Sequence, residues 1–386
     1  MRVFNRPVPL LTAAIGVIGA NSLVLSPIAP AVAADLSSDT TTILKAVAAY
    51  GAGTAISALT LAPRADVIGS DRALKHACLL LLFALLMCTL GTDVRFLILG
   101  QAIAGVGAGL ALPSIYSLAA HVSPKGRERK TISTVLTGWT LSLIFGVTFA
   151  AVIADMIGWR AVYGLMTLLT LGVLVLLKRC DMKVGRREGP VSSPLSALRQ
   201  PGILRALFSN AMLMMAFNGA YIYLGAHVVQ NMGLTTSSTG VLTMLYGLGF
   251  GGAVIFNRFL EGLPARWIGL LAFGGLAVTY LVMDQFSLQL LMFMPLAFVW
   301  GIFQHFALNT VVDRLTSLDP NRRGAIMGLN AAVTYGTVMG GSVFFRYPFE
   351  YGGLGTCLGI SALFAAIAAA EAIWPSRPVK TCSIAE

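Results

Sequence analysis

Apolar runs of about 20 residues, long enough to cross ~30 Å of hydrocarbon as helices, recur near 9–34, 42–62, 74–91, 95–121, 132–154, 160–178, 205–229, 239–257, 267–283, 286–311, 324–345 and 354–374. Polar segments part them, and the longest of these, 178–202, leaves six runs on either side. The pattern predicts an all-α integral membrane protein with twelve transmembrane helices. It divides into an N-terminal six-helix bundle over 1–177, a linker over 178–202, a C-terminal six-helix bundle over 203–376 and a tail over 377–386.

The two sets of six look like copies. Gly105 and Gly301, Pro124 and Pro320, and Arg127 and Arg323 are each 196 residues apart, while Asp66 and Glu261, Gly146 and Gly341, and Gly158 and Gly353 are 195 apart. One coincidence means nothing in a chain with 41 glycines, but a near-constant offset across four regions points to duplication, a common plan in membrane transporters.

Composition agrees with the pattern. The chain is 56% hydrophobic and 11% charged, with mean hydropathy +0.80, whereas a soluble domain carries about 25% charged residues. The five cysteines have neither metal spacing nor a disulfide framework, and no metal or cofactor is expected.

The net charge of +11 raises the question of nucleic acid, which its distribution argues against. When the connections are split by parity, 23 of the 27 Lys and Arg residues fall on the side that holds the N-terminus. The other side receives Lys45, Arg95, Arg160 and Arg346. That asymmetry is the positive-inside rule, and it places both termini in the cytoplasm. It also decides the fate of the first apolar run, which follows Arg2 and Arg6 and ends near "AVAAD", an A-x-A spacing that signal peptidase accepts. Cleavage there would move every later loop across the membrane and invert the charge split. The first run is therefore expected to be retained.

"LSPIAPAVAADL", "APRADVIGSDRAL", "QAIAGVGAGLALPSIYSLAA" and "GWTLSLIFGVTFAAVIADMIGWR" resemble motifs of the major facilitator superfamily, a resemblance that covers nearly the whole chain and falls within its twelve-span drug and sugar efflux branch. "LSPIAPAVAADL" resembles the first-helix signature of that branch. "APRADVIGSDRAL" is similar to the loop motif G-x-L-A-D-R-x-G-R-R, keeping Asp66 and Gly69 but holding Ala62, Ser70 and Asp71 where the motif has Gly and paired Arg, with Arg72 displaced. "QAIAGVGAGLALPSIYSLAA" resembles the fourth-helix motif with Gln101 in place of its arginine. "GWTLSLIFGVTFAAVIADMIGWR" resembles the fifth-helix antiporter motif without its usual proline.

The resemblance implies the major facilitator fold, a bacterial inner-membrane location and a cavity lined by spans 1, 4, 7 and 10. The candidate cavity residues are Asn21, Ser26, Gln101, Asn218, Tyr221, Tyr223, Trp300, Gln304, His305 and Asn309. Asn21, Gln101, Asn218, Tyr221, Gln304 and His305 are expected to face one shared space. The ordinary alternative for each is a helix–helix hydrogen bond. The expected cytoplasmic gate is Asp66, Gly69, Arg72, Arg127 and Arg129, with Asp66 either capping a helix, pairing with Arg127 or Arg129, or lying as a solvated loop charge. Gly138, Ser142 and Gly146, and again Ala332, Gly336 and Gly340, are spaced by four and present bare helix faces suited to close packing.

No Asp, Glu, Lys or Arg falls near the middle of any span. A cavity without fixed charge suits neutral or weakly charged organic molecules, held by Tyr, Trp, Asn and Gln. Proton coupling would then need His305, the mid-span side chain that ordinarily titrates near neutrality, with Asp35 and His227 as further candidates. The leading reading is a secondary active transporter working by alternating access, with efflux by proton antiport. An uncoupled facilitator or importer is the alternative, and a non-transporting receptor or scaffold a distant one. The expected partners are the bilayer, a small-molecule substrate and, under antiport, protons, with no nucleic acid; a monomer is expected. No H-E-x-x-H, Ser-His-Asp set or phosphate-binding Gly-rich loop supports an enzyme.

Overall fold

The computed structural model describes residues 7–124, 126–180, 182, 193–260, 262–319 and 322–374, without the side chains of Asp66, Arg129, Asn257 and Phe259. Among the described residues, eleven helices are long and apolar enough to cross a membrane: α1 (Pro7–Asp35), α2 (Thr40–Thr60), α3 (Ser70–Leu90), α4 (Val94–His121), α5 (Lys130–Met156), α6 (Trp159–Arg179), α7 (Ile203–Asn231), α8 (Thr236–Phe256), α9 (Ala265–Gln285), α10 (Leu290–Leu318) and, last of them, α12 (Arg346–Ile373). A further helix, α11 (Arg323–Phe344), lies between the last two. Arg2, Arg6, Lys125, Glu261, Pro320, residues 181 and 183–192 of the linker and the 377–386 tail lie outside the described residues.

Two boundaries differ from the sequence reading. Helix α10 runs on to Leu318, seven residues past the apolar run, through two further turns that carry Asp313 and Arg314 and so do not register as apolar. Helix α12 starts at Arg346 rather than at 354, and Gly353 (φ 65°) breaks it. Gly158 (φ 117°) precedes Trp159 at the start of α6, so both members of that glycine pair sit where only glycine bends without strain.

The duplication is visible as repeated backbone contacts. A Cβ on Gly105 of α4 would overlap the carbonyl oxygen of Tyr50 on α2, and a Cβ on Gly301 of α10 would overlap that of Tyr246 on α8. Gly53 meets the Ala102 carbonyl in the same way, and Gly249 meets that of Phe298. Each partner of one contact lies 196 residues from its counterpart in the other. In lipid, helix association rests on such close van der Waals approach, which small residues permit.

The small-residue face of α5 lies against α1. A Cβ on Gly138 would overlap the Thr12 carbonyl, one on Gly146 would lie 3.1 Å from Ala20 Cβ, and Ser142 faces Gly19, all on α1. A π-helical turn over Ser142–Gly146 lies in this stretch. The second seam is a correction. Nothing lies within 4 Å of a Cβ built on Gly336 or Gly340. Helix α11 instead turns Gly341 toward Asn218 of α7, and it receives Gly51 of α2 against Tyr335 and Met339. One residue of rotation, about 100° at 3.6 residues per turn, separates the two faces.

Candidate functional site: a cleft sealed at one end

The halves meet along three lines. Helix α2 packs on α11, α5 on α8, and α1 on the last turns of α7. Helices α4 and α10 pack mainly within their own halves. At the end away from the chain termini the contact is close. Tyr221 hydroxyl donates to the Leu23 carbonyl (3.1 Å), Gln230 Nε2 donates to Thr40 Oγ1 (2.8 Å), Thr148 Oγ1 donates to the Gly240 carbonyl (3.1 Å), and Ser237 N–H donates to Asp155 Oδ2 (2.6 Å). Helix α7 is broken at Ile222–Tyr223, which lays Gly225 against the Ser26 and Pro27 carbonyls with no room for a Cβ.

Toward the termini the ends of two of these helices are exposed: Arg127, Glu128, Lys130, Ser133, Thr134, Leu136 and Thr137 at the start of α5, and Val254, Ile255 and Phe256 at the end of α8. The hydrogen bonds between the halves named above are thus gathered at one end, and exposed polar side chains at the other.

The candidate cavity residues do not gather round one space. In the first half Asn21 and Gln101 pair their amides at 3.3 and 3.5 Å, and Gln101 Nε2 also lies 3.3 Å from the Tyr163 hydroxyl and 3.7 Å from Cys88 Sγ. This amide pair ties α1 and α4 to α3 and α6 inside the bundle. In the second half Asn218 donates to the Thr337 carbonyl (2.9 Å) and Tyr223 to the Ser342 carbonyl (2.8 Å), so both bind α11. The physical reason is cost: a buried amide or hydroxyl without a partner in an apolar bundle loses about 1–3 kcal/mol, and a neighbouring helix carbonyl is the nearest acceptor.

Tyr221 and Trp300 do come together. Trp300 lies tilted against Tyr246 with centroids 4.4 Å apart, Phe217 stacks on Tyr221 at 5.1 Å and lies 5.6 Å from Trp300, and Trp300 Nε1 donates to the Tyr280 hydroxyl (2.8 Å). This cluster lies beside the seal, because Tyr221 itself reaches across to α1. Phe217, Tyr246 and Tyr280 were not among the sequence candidates. The signal for Phe217 was its i, i+4 relation to Tyr221, which puts both on one helix face. Gln304 is buried, and its Oε1 has no hydrogen-bond partner. His305 is half-buried, with Nε2 at 2.8 Å from Asn309 Nδ2, its ring edge-on to Phe250 and its Nδ1 unpartnered; Asn309 is exposed.

Asp35 and His227 are engaged at the sealed end. Asp35 accepts from Trp159 Nε1 (3.1 Å) and pairs with Arg160, which also donates to the Gly91 carbonyl, so α1, α3 and α6 are tied together. His227 Nε2 lies 2.8 Å from the Ser287 carbonyl. At the open end Gly69 (φ 94°) starts α3 after a short helix over Ala62–Ile68, and Ser70 hydroxyl donates to Ser117 (2.8 Å). Arg72 and Arg127 are exposed, and the side chains of Asp66 and Arg129 lie outside the described residues. Sequence reading also missed a charge cluster there. Glu371 of α12 accepts from Arg205 and Ser209 of α7 and from Arg314 of α10 (2.9 Å).

The architecture is that of a multi-pass membrane protein made of two like six-helix halves. The chain belongs to the Major Facilitator Superfamily, whose model matches residues 11–344. It is similar to an uncharacterized MFS-type transporter, YwfA, of Bacillus subtilis, at 26% identity over 92% of this chain and 89% of the relative. It is also similar to a protein named probable sugar efflux transporter from Pasteurella multocida (24% identity, 72% of this chain, 71% of the relative) and to one of the same name from Helicobacter acinonychis (24%, 64% and 65%). The family is one of transporters rather than enzymes.

Proposed function

We propose that the protein is a secondary active transporter that exports a small neutral or weakly charged organic solute by alternating access, in exchange for protons. The observation that carries this reading is the uneven joint between the halves, hydrogen-bonded at one end and exposed at the ends of α5 and α8 at the other, with α4 and α10 each packed mainly in its own half; we read it as a cleft sealed at one end. The uncharged aromatic cluster beside the seal favours ring and hydroxyl groups over ions. The relatives named as sugar efflux transporters support sugars as members of that class. The positive-inside charge split supports a bacterial cytoplasmic membrane with both termini cytoplasmic, so the open end faces the cytoplasm. The working unit is a monomer.

A second reading, uncoupled facilitation, is favoured by a specific observation. Gln101 occupies the arginine position of the fourth-helix motif and is committed to Asn21, and Asp35 is committed to Arg160. His305 and His227 are the remaining candidate carriers, each with one unpartnered ring nitrogen, and His305 is the one away from the sealed end. Counterflow of labelled sugars in proteoliposomes, with and without a pH gradient, separates the readings. Under antiport, His305→Gln abolishes accumulation driven by the gradient and leaves exchange at equal pH within about twofold, because glutamine keeps a hydrogen-bonding group of similar reach but does not titrate. Undiminished pH-driven accumulation in that variant removes His305 from the cycle. Accumulation indifferent to the gradient in the parent protein removes antiport.

A further inference from the structure

We infer that Asp155 is a gate residue, a carboxylate of the first half that caps a helix of the second half only while the sealed end is closed. The inference rests on the alternating-access reading and adds to it the group that biases the two states.

Helix α8 begins at Thr236, and the residue before it, Thr235, supplies no side-chain cap. The N–H groups of a first helical turn have no partner within the helix and need one from elsewhere. For Ser237 that partner comes from the other half of the molecule. Its N–H donates to Asp155 Oδ2 at 2.6 Å, and its hydroxyl donates to the same oxygen. A carboxylate at this position also faces the positive end of the α8 dipole.

Asp155 is the last member of a stripe on α5. Ile144, Thr148, Ala151 and Asp155 recur at four, three and four residues, which is one helix face. Each of the first three meets α8 as well: Ile144 lies against Gly247, Thr148 bonds the Gly240 carbonyl, and a Cβ on Gly240 would come 2.8 Å from Ala151 Cβ. The seam is therefore zipped by backbone contact along its length and finished by a charged cap at its rim. The Gln230–Thr40 bond stands at the rim between other elements, α7 and α2.

Parting the halves at this end separates Asp155 from Ser237. The α8 terminus then loses this carboxylate acceptor, leaving water and the Thr235 hydroxyl, which makes no cap in the closed arrangement. The cap thus contributes only to the closed arrangement, which is what defines a latch rather than a general stabiliser.

The test uses Ser26, which is 3% exposed behind the seal even though the cleft is open at the other end. Ser26→Cys, in a full-length protein whose native cysteines are replaced, is reconstituted in lipid nanodiscs and its rate of reaction with a small maleimide is measured. Because the introduced thiol is shielded in the closed arrangement, the rate follows the population with the seal open. Asp155→Ala raises the rate about fivefold, the usual effect of removing a helix cap. Ser237→Pro, which deletes the N–H at a first-turn position where proline is tolerated, raises it equally. The two together give no more than either alone, since they remove one interaction. Asp155→Asn stays within about twofold of the parent, because an amide oxygen caps a helix as well as a carboxylate does. An unchanged rate in Asp155→Ala, or effects that multiply in the double variant, overturns the latch. An introduced thiol that never reacts in any variant overturns alternation, and the latch with it.

Discussion

Gly249→Ala is expected to destabilise the protein by about 1–3 kcal/mol, the usual cost of overpacking a tight core, and Gly249→Leu to yield no folded protein. The cause is the kind of atom that the new side chain meets. A Cβ at this position would overlap the Phe298 carbonyl oxygen, which is backbone. No rotamer change clears it, so α8 and α10 must move apart. Separation also forfeits the neighbouring approach of Gly301 to the Tyr246 carbonyl. Gly53→Ala, which meets the Ala102 carbonyl, should do the same to α2 and α4 in the first half. Gly336→Ala is the control: nothing lies within 4 Å of its Cβ, and alanine is a better helix former than glycine by about 1 kcal/mol. It should unfold at or slightly above the parent temperature. Thermal unfolding in detergent, followed by the loss of monodisperse protein after heating, measures all four. Equal stability of Gly249→Ala and the parent would refute the close approach.

Glu371→Ala is expected to cost about 3 kcal/mol, at the low end of the range for removing one partner of a buried ion pair. The carboxylate holds two guanidinium groups, Arg205 and Arg314, with Ser209 as a third donor. Its own side chain is 11% exposed, and those of the two arginines are 27% and 30% exposed. Water reaches the arginines, which is why the low end applies. Without Glu371, two positive charges face each other where α7, α10 and α12 converge. Glu371→Ala combined with Arg314→Ala should therefore lose less than the sum of the two single losses, because the second change removes a charge that the first left uncompensated. The same unfolding measurement tests this, and strict additivity would mean that the cluster contributes through packing and not through charge.

Much of the fold was legible because lipid imposes coarse rules. The apolar runs located the helices, and the glycine offsets located the repeat, since a backbone-to-backbone contact needs glycine whatever surrounds it. Side-chain destinations were less legible. Asn218 and Gln101 sit in helices that line a cleft in this fold, yet both turn to carbonyls or amides of their own half. Nothing in a single helix tells which neighbour stands at which azimuth. The same limit explains α11, where spacing marked Gly336 and Gly340 as a seam and the partner helix lies on the face of Gly341 instead. The Glu371 cluster was missed because its members, Arg205, Arg314 and Glu371, lie far apart in sequence and each looked like a charge at a helix end. Phe217 was missed because phenylalanine in an apolar run carries no polar signal.

The paired contacts of Gly105 with Tyr50 and Gly301 with Tyr246 have a consequence for how two copies of one bundle can grow apart. Both are made by main chain alone, so the frame is indifferent to the identity of the side chains that project beside them. One half has clothed that frame with an amide pair, Asn21 and Gln101, and the other with a cluster of rings, Phe217, Tyr246 and Trp300. Two unlike interiors on one chassis mean that each half can be rewritten residue by residue while the backbone frame stays as it was.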